Sequence, residues 1–309
     1  QLFNTGNTPM SLTFTRMHPF FFAAVSDVDL ASPFGNDILV EILNGFAEHS
    51  VLLFRNQTLD DDSQIAFSER IGPLEKNITV TFGNSRPEIS KISNVDSNGE
   101  VLKKGSDGEI FLKGNSVWHT DSSFKVVPAL GSALSAREVP PVGGETEFAD
   151  MRAAYDLLNE KKRKFIQNST AVHSFAYSQN QMNLDGHYKV TTVMNDEELE
   201  ALPPVQHPMI RVHPESGRKA IYAGRHASHI VGRSIEEGRA RIRELNEFST
   251  QPKFVYRHKW QAGDLVMWDN RMVMHRGLPY DPMYRRVMHR TTVAGHAENN
   301  PWVIREKVA

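Results

Sequence analysis

Cysteine is missing from all 309 residues. Disulfides, thiol nucleophiles and zinc ribbons are therefore excluded, and any bound metal must be held by His, Asp or Glu. Long apolar runs are also missing, since none approaches the roughly 20 residues that a membrane helix needs. Neither sign of charge is in excess: 35 Lys and Arg stand against 37 Asp and Glu. Nucleic acid and anionic membranes demand a dense basic surface, so neither is expected as a partner. No signal-peptide pattern precedes the first methionine, Met10. The polar stretch 1–9 reads as a cloning remnant or loose terminus, and a cytoplasmic location is expected.

What is present is an ordinary globular balance, 23% charged and 39% hydrophobic. Residues 12–28 read as an early strand pair around the apolar cluster Phe20, Phe21 and Phe22. Residues 36–49 carry Ile38, Leu39, Ile42, Leu43 and Phe46 at helical spacing, and 51–54 form a short buried-strand run. Residues 60–71 open on three aspartates, as helices do. Helices are also expected over 149–159, 160–167 and 235–248, with the charged run 160–164 as a solvated helical face. The stretch 76–114 reads as strand pieces between loops. With 174–202 it forms a pair of weakly patterned segments expected to act as lids. Short strands are expected at 209–212, 219–222, 254–258, 264–268 and 287–293, separated by Gly, Pro and Asn turns. Short strands with peripheral helices predict a mainly β fold, a double-sheet core closest to a jelly roll.

The chemistry-bearing pattern begins at His119-Thr120-Asp121. In an extended strand residues two apart share a face, so His119 and Asp121 can meet one metal. His275, following 264–270, is expected on an adjacent strand as a third ligand. Two histidines and a carboxylate leave coordination positions open, which suits iron(II) binding a co-substrate and O₂ together. Chance spacing among 13 histidines is the bland alternative, with His119 merely bonded to a nearby aspartate. Arg286 and Arg290 weigh against it. On one strand they would face the same side and offer guanidinium forks to two carboxylates.

These segments resemble the TauD/TfdA family of iron(II)/2-oxoglutarate dioxygenases, particularly its aryloxyalkanoate branch. The similar text is Trp118-His-Thr-Asp-Ser-Ser-Phe124, Val139-Pro-Pro-Val-Gly-Gly-Glu-Thr-Glu-Phe148, Ala149-Asp-Met-Arg-Ala-Ala-Tyr155, Gly263-Asp-Leu-Val-Met-Trp-Asp-Asn270, His275-Arg-Gly277 and Arg290-Thr-Thr292. The resemblance runs from about His18 to Gly295. It implies a double-stranded β-helix (jelly roll, cupin-like) in one domain over 10–309, and a homo-oligomer, dimer or tetramer. By the same resemblance His119, Asp121 and His275 hold iron(II), while Arg286 and Thr146 bind the distal carboxylate of 2-oxoglutarate. Arg290 then meets the acidic group of a small carboxylate substrate, an aryloxyalkanoate or arylalkanoate being the expected class. The implied reaction consumes 2-oxoglutarate and O₂, releases succinate and CO₂, and hydroxylates the substrate.

Asn115 is a candidate pocket residue, though asparagine is equally a loop former. His226 and His229 could line the pocket, with packing or surface roles as the alternative. Trp118 and Trp268 read as core, and Asp269 and Asn270 as shaping the turn before His275. At Asn77 this chain departs from the taurine enzymes, which place a histidine there for a sulfonate; Asn77 joins the substrate candidates and taurine is disfavoured. Rival readings are a sister oxygenase that desaturates, cyclises or decarboxylates, a metal-dependent hydrolase, and a non-catalytic jelly-roll binding protein.

Overall fold

The computed structural model describes residues 11–76, 86–104, 106–181 and 196–296. Asn77 and parts of both expected lids, 77–85, 105 and 182–195, lie outside the described residues.

Helix boundaries fall where side chains satisfy free backbone groups. Helix α1 (Asn36–His49) buries Ile42 and Phe46. It ends at Ser50 in the left-handed region (φ 58°), where the Ser50 N–H donates to the Phe46 carbonyl at 2.8 Å. That reversal delivers the chain into strand β3 (Val51–Phe54), buried at every position. Helix α2 (Asp61–Glu69) starts on a capping box: Asp60 accepts from the Ser63 N–H, and the Ser63 hydroxyl accepts from the Asp60 N–H. Ser234 caps α8 (Ile235–Ser249) in the same way, accepting from the Glu237 N–H. The cluster 20–22 divides, with Phe21 and Phe22 buried and Phe20 39% exposed.

Two facing sheets organise the core. The larger runs in the order β1 (Thr13–Arg16), β2 (Ala23–Ser26), β3, β13 (Leu265–Asp269), β5 (Gly131–Glu138), β15 (Val287–Val293) and β4 (Ser90–Ser93). All its pairings are antiparallel except β2 with β3. The second sheet is β12 (Val255–His258), β6 (Thr146–Asp150) and β14 (Val273–Gly277), antiparallel throughout. Phe148 of β6 meets Trp268 of β13 at 5.6 Å between ring centroids, which packs one sheet on the other. A third sheet pairs β11 (Ala227–Ile230), β7 (Thr170–His173) and β8 (Val205–Pro208), and β9 (Ile210–Val212) pairs with β10 (Lys219–Ile221). This is the expected double-stranded β-helix with helices outside it.

Helix α8 lies against β11 so closely that a Cβ on Gly238 would come 2.6 Å from the Ile230 backbone nitrogen. The charged run 160–164 lies on α5 (Glu160–Gln167), whose only buried residue is Ile166. Three expectations are corrected. The stretch 76–114 contains helix α3 (Asp107–Lys113), not only strand pieces and loops. Ala149 and Asp150 belong to β6; the helix there is α4 (Met151–Asp156), with Asp150 as its cap. His119 and Asp121 do not lie along one strand: His119 sits on an isolated bridge and Asp121 opens the turn after it. The strand carrying His275 pairs with β6 in the facing sheet and bridges to His119, adjacent to the His-x-Asp segment as expected.

Candidate metal centre

His119 and His275 are held opposite each other by a reciprocal backbone pair. The His119 N–H donates to the His275 carbonyl at 3.1 Å, and the His275 N–H returns to His119 at 2.8 Å. Asp121 follows, buried, and Ser122 beyond it takes a positive φ of 55° to close the turn. One ligand atom from each of His119, Asp121 and His275 lies within 4.8 Å of the others, the only such His/Asp/Glu group among the described residues. Nε2 of His119 stands 3.9 Å from one Asp121 oxygen and Nε2 of His275 stands 3.9 Å from the other.

The surroundings prepare these groups as metal ligands. Nδ1 of His119 lies 2.7 Å from the Val117 carbonyl, which fixes the tautomer with Nε2 as the free lone pair. Burial holds the His119 imidazole well below its ordinary range, helped by neighbouring His275. Burial likewise pushes His275 down to about 4. Both rings are thus neutral, as ligation requires. Burial alone would raise the Asp121 carboxyl, but Arg290 and the two histidines outweigh it and hold the group well below the usual carboxylate range. Two neutral imidazoles and one carboxylate on a buried triangle fit a divalent metal with open positions, iron(II) among them.

Arg286 bonds to Gly144, two residues before Thr146, and Thr146 opens β6 opposite Gly277 on the strand that carries His275. Arg286 is buried, its Nε donates to the Gly144 carbonyl at 3.3 Å, and the Tyr280 ring lies 5.8 Å from its guanidinium carbon. Burial lowers its pKa, and among the described residues no carboxylate pairs with it. The Thr146 hydroxyl accepts from Trp260 Nε1 at 2.9 Å, leaving its own proton to donate. Arg286 and Arg290 do not share one regular strand: Arg286 precedes β15, and a register shift separates Val287 from Met288. That bulge sends the two guanidinium groups to different partners. Arg290 donates to Asp121 Oδ1 at 2.6 Å, while its Nε is buried with no hydrogen-bond partner among the described residues.

His226 stands edge-on to His119 with centroids 6.4 Å apart, its Nδ1 2.8 Å from the Ser178 hydroxyl and Phe124 at 4.9 Å. His229 points elsewhere, to the Ser228 hydroxyl. Asn115 lies in the 3-10 turn Gly114–Ser116, its carbonyl 3.7 Å from where a Gly277 Cβ would stand. Trp268 is fully buried, and Trp118 packs at the core's edge beneath the Arg276 guanidinium. Sequence reasoning missed Ser132, whose hydroxyl donates to Asp121 Oδ2 at 2.7 Å, and underrated Asn270, whose Oδ1 accepts from the Asp121 N–H at 3.1 Å. A serine in a strand and an asparagine in a turn carry no spacing signal.

The profile of the family described as taurine catabolism dioxygenase TauD, TfdA family, matches residues 12–292. The alpha-ketoglutarate-dependent 2,4-dichlorophenoxyacetate dioxygenase of Cupriavidus pinatubonensis is 43% identical over 294 residues, 93% of this chain and 99% of that one. The (S)-phenoxypropionate/alpha-ketoglutarate-dioxygenase of Sphingobium herbicidovorans is 36% identical over 282 residues, covering 89% and 92%. The crystal structure of AAD-2 with Mn(II) and N-oxalylglycine superposes with a TM-score of 0.84 at 40% identity, over 93% of this chain and 98% of that one. With a profile that matches residues 12–292, a relative at 43% identity and a superposable fold, the chain belongs to the TauD/TfdA dioxygenase family.

Proposed function

We propose that this protein, an iron(II)- and 2-oxoglutarate-dependent dioxygenase, oxidises a small aryloxyalkanoate or arylalkanoate acid. The observation that carries the reading is the buried triad His119, Asp121 and His275, together with a buried Arg286 that has no acidic partner among the described residues. In this reading iron(II) is held by Nε2 of both histidines and by the Asp121 carboxylate. Held there, iron(II) would supply the redox chemistry by which 2-oxoglutarate and O₂ give succinate and CO₂ while the substrate is oxidised.

The chain's own residues supply the positioning. Arg286 offers its fork to the far carboxylate of 2-oxoglutarate, and the Thr146 hydroxyl donates to the same group. Burial of Arg286 strengthens that contact, because water competes poorly there. Arg290 presents its Nε, which has no partner among the described residues, toward the substrate acid while its Nη1 holds Asp121. His226 and Phe124 form a wall beside His119 against which an apolar body can rest. Asn115 and Asn77 belong to the proposed substrate side, Asn77 on sequence grounds alone. One domain over 10–309, a dimer or tetramer and a cytoplasmic location complete the proposal. Among the described residues no helix is long and apolar enough to cross a membrane.

The test is a panel of aryloxy, aryl and sulfonic acids given to iron-loaded protein with 2-oxoglutarate in air, scoring succinate formed per acid consumed. Tight coupling to an aryl-bearing carboxylate is expected. Coupling to a sulfonate alone would overturn the substrate proposal while leaving the reaction class intact.

A further inference from the structure

We infer that Asn270 and Ser132 are positioning residues that fix the geometry of the Asp121 carboxylate; the inference rests on the iron-site reading above. Asn270 sits in the turn between β13 and β14, which joins the two facing sheets. Its Oδ1 accepts from the Asp121 N–H at 3.1 Å and from Trp268 Nε1 at 3.0 Å. Its backbone carbonyl accepts from the Thr120 hydroxyl at 2.5 Å. Its Nδ2 donates to the Ser132 hydroxyl at 2.9 Å, and Ser132 donates to Asp121 Oδ2 at 2.7 Å.

The direction of this relay is forced. Two N–H groups point at one end of the Asn270 amide, so that end is the oxygen and the other is the NH₂. Because Nδ2 occupies the Ser132 oxygen as donor, the single hydroxyl proton is left for Asp121. The carboxylate is thereby gripped on both oxygens, by Ser132 on Oδ2 and by Arg290 on Oδ1. Asn270 reaches the other ligands too. It anchors Thr120, the residue between His119 and Asp121. Through Trp268 it sets the ring that packs on His275 at 4.6 Å between centroids. Asn270 and Ser132 are both buried, so water cannot readily replace these bonds.

Asn270→Asp keeps the shape but puts an acceptor where Nδ2 was, so the Ser132 proton can turn away from Asp121. Ser132→Ala removes the donor outright, and Ser132→Thr restores a hydroxyl. Mn(II) binding is followed by electron paramagnetic resonance of the free ion without oxygen or 2-oxoglutarate, alongside thermal melting. Parent protein is expected to bind Mn(II) and His119→Ala is expected not to. Asn270→Asp and Ser132→Ala are expected to bind roughly 10- to 100-fold more weakly, with Ser132→Thr returning most of the affinity. Affinities of Asn270→Asp and Ser132→Ala within twofold of the parent, whatever their melting points, would overturn the inference. So would a loss that Ser132→Thr does not restore, since a packing role would explain it. A parent that fails to bind Mn(II) through His119 would instead overturn the metal-site reading, and the inference with it.

Discussion

Replacing Arg286 with methionine keeps most of the stem's volume and removes the fork. A guanidinium–carboxylate clamp provides two charge-assisted hydrogen bonds at roughly 1.5–3 kcal/mol each. Losing both should weaken 2-oxoglutarate binding by about 3–6 kcal/mol, on the order of 10²- to 10⁴-fold. Stability should move the other way or not at all. Arg286 is a buried cation whose one side-chain hydrogen bond to the described residues is the 3.3 Å contact with Gly144, and an apolar side chain in such a place is often neutral or stabilising. The assay is thermal melting with Mn(II) under nitrogen, with and without 2-oxoglutarate. A ligand at 100 times its dissociation constant adds about 2.7 kcal/mol to the parent, so the parent's melting point should rise and that of Arg286→Met should not. A 2-oxoglutarate-dependent rise as large as the parent's would refute the role given to Arg286. A ligand-free variant melting far below the parent would show that Arg286 is instead a structural residue.

Arg290→Ala, assayed at saturating metal because Arg290 also holds Asp121, should raise the KM for the substrate acid by roughly 10- to 100-fold, the loss of one charge-assisted pair, with 2-oxoglutarate affinity little changed; equal loss of both would remove Arg290 from the substrate side. His207 is buried and pushed down to about 4 by that burial, below the ordinary histidine value near 6.5. The unfolded chain therefore takes up its proton first, and stability present above pH 6.5 is lost as pH falls toward 4. From pH 7 to pH 5 this amounts to about 2 kcal/mol, measurable by urea unfolding. His207→Gln should flatten the decline by that amount, and an unchanged slope would contradict it. Gly238→Ala places a Cβ against the Ile230 backbone, which cannot swing aside as a side chain can. A cost of about 1–3 kcal/mol is expected in thermal or urea unfolding, and an unchanged melting point would show that α8 can shift.

The sequence revealed elements whose burial is periodic and local. Residues 36–49, 51–54, 160–167 and 287–293 form the expected elements because their apolar spacing and end signals agree. Helix α3 was not legible, being short, with Gly108 near its start and no apolar stripe long enough to mark a period. Of the site, the triad was readable from the His-x-Asp spacing, the downstream arginines and the family resemblance, in a chain whose lack of cysteine leaves His, Asp and Glu to hold a metal. How its members meet was not readable. The crossing of β14 to the facing sheet depends on pairing with β6, more than 120 residues earlier in the chain. The bulge at Val287 is a local break in register that residue types do not announce. Nor could Arg290 reveal that Asp121 is one of its partners, since an arginine's type does not say which carboxylate it meets.

The most direct measurement is an anaerobic titration of iron(II)-loaded protein with 2-oxoglutarate, followed by visible charge-transfer absorption. A band that saturates with 2-oxoglutarate, vanishes in His119→Ala and needs far more 2-oxoglutarate in Arg286→Met is expected. Well-folded, iron-loaded protein that shows no band at any 2-oxoglutarate concentration would contradict the proposed centre.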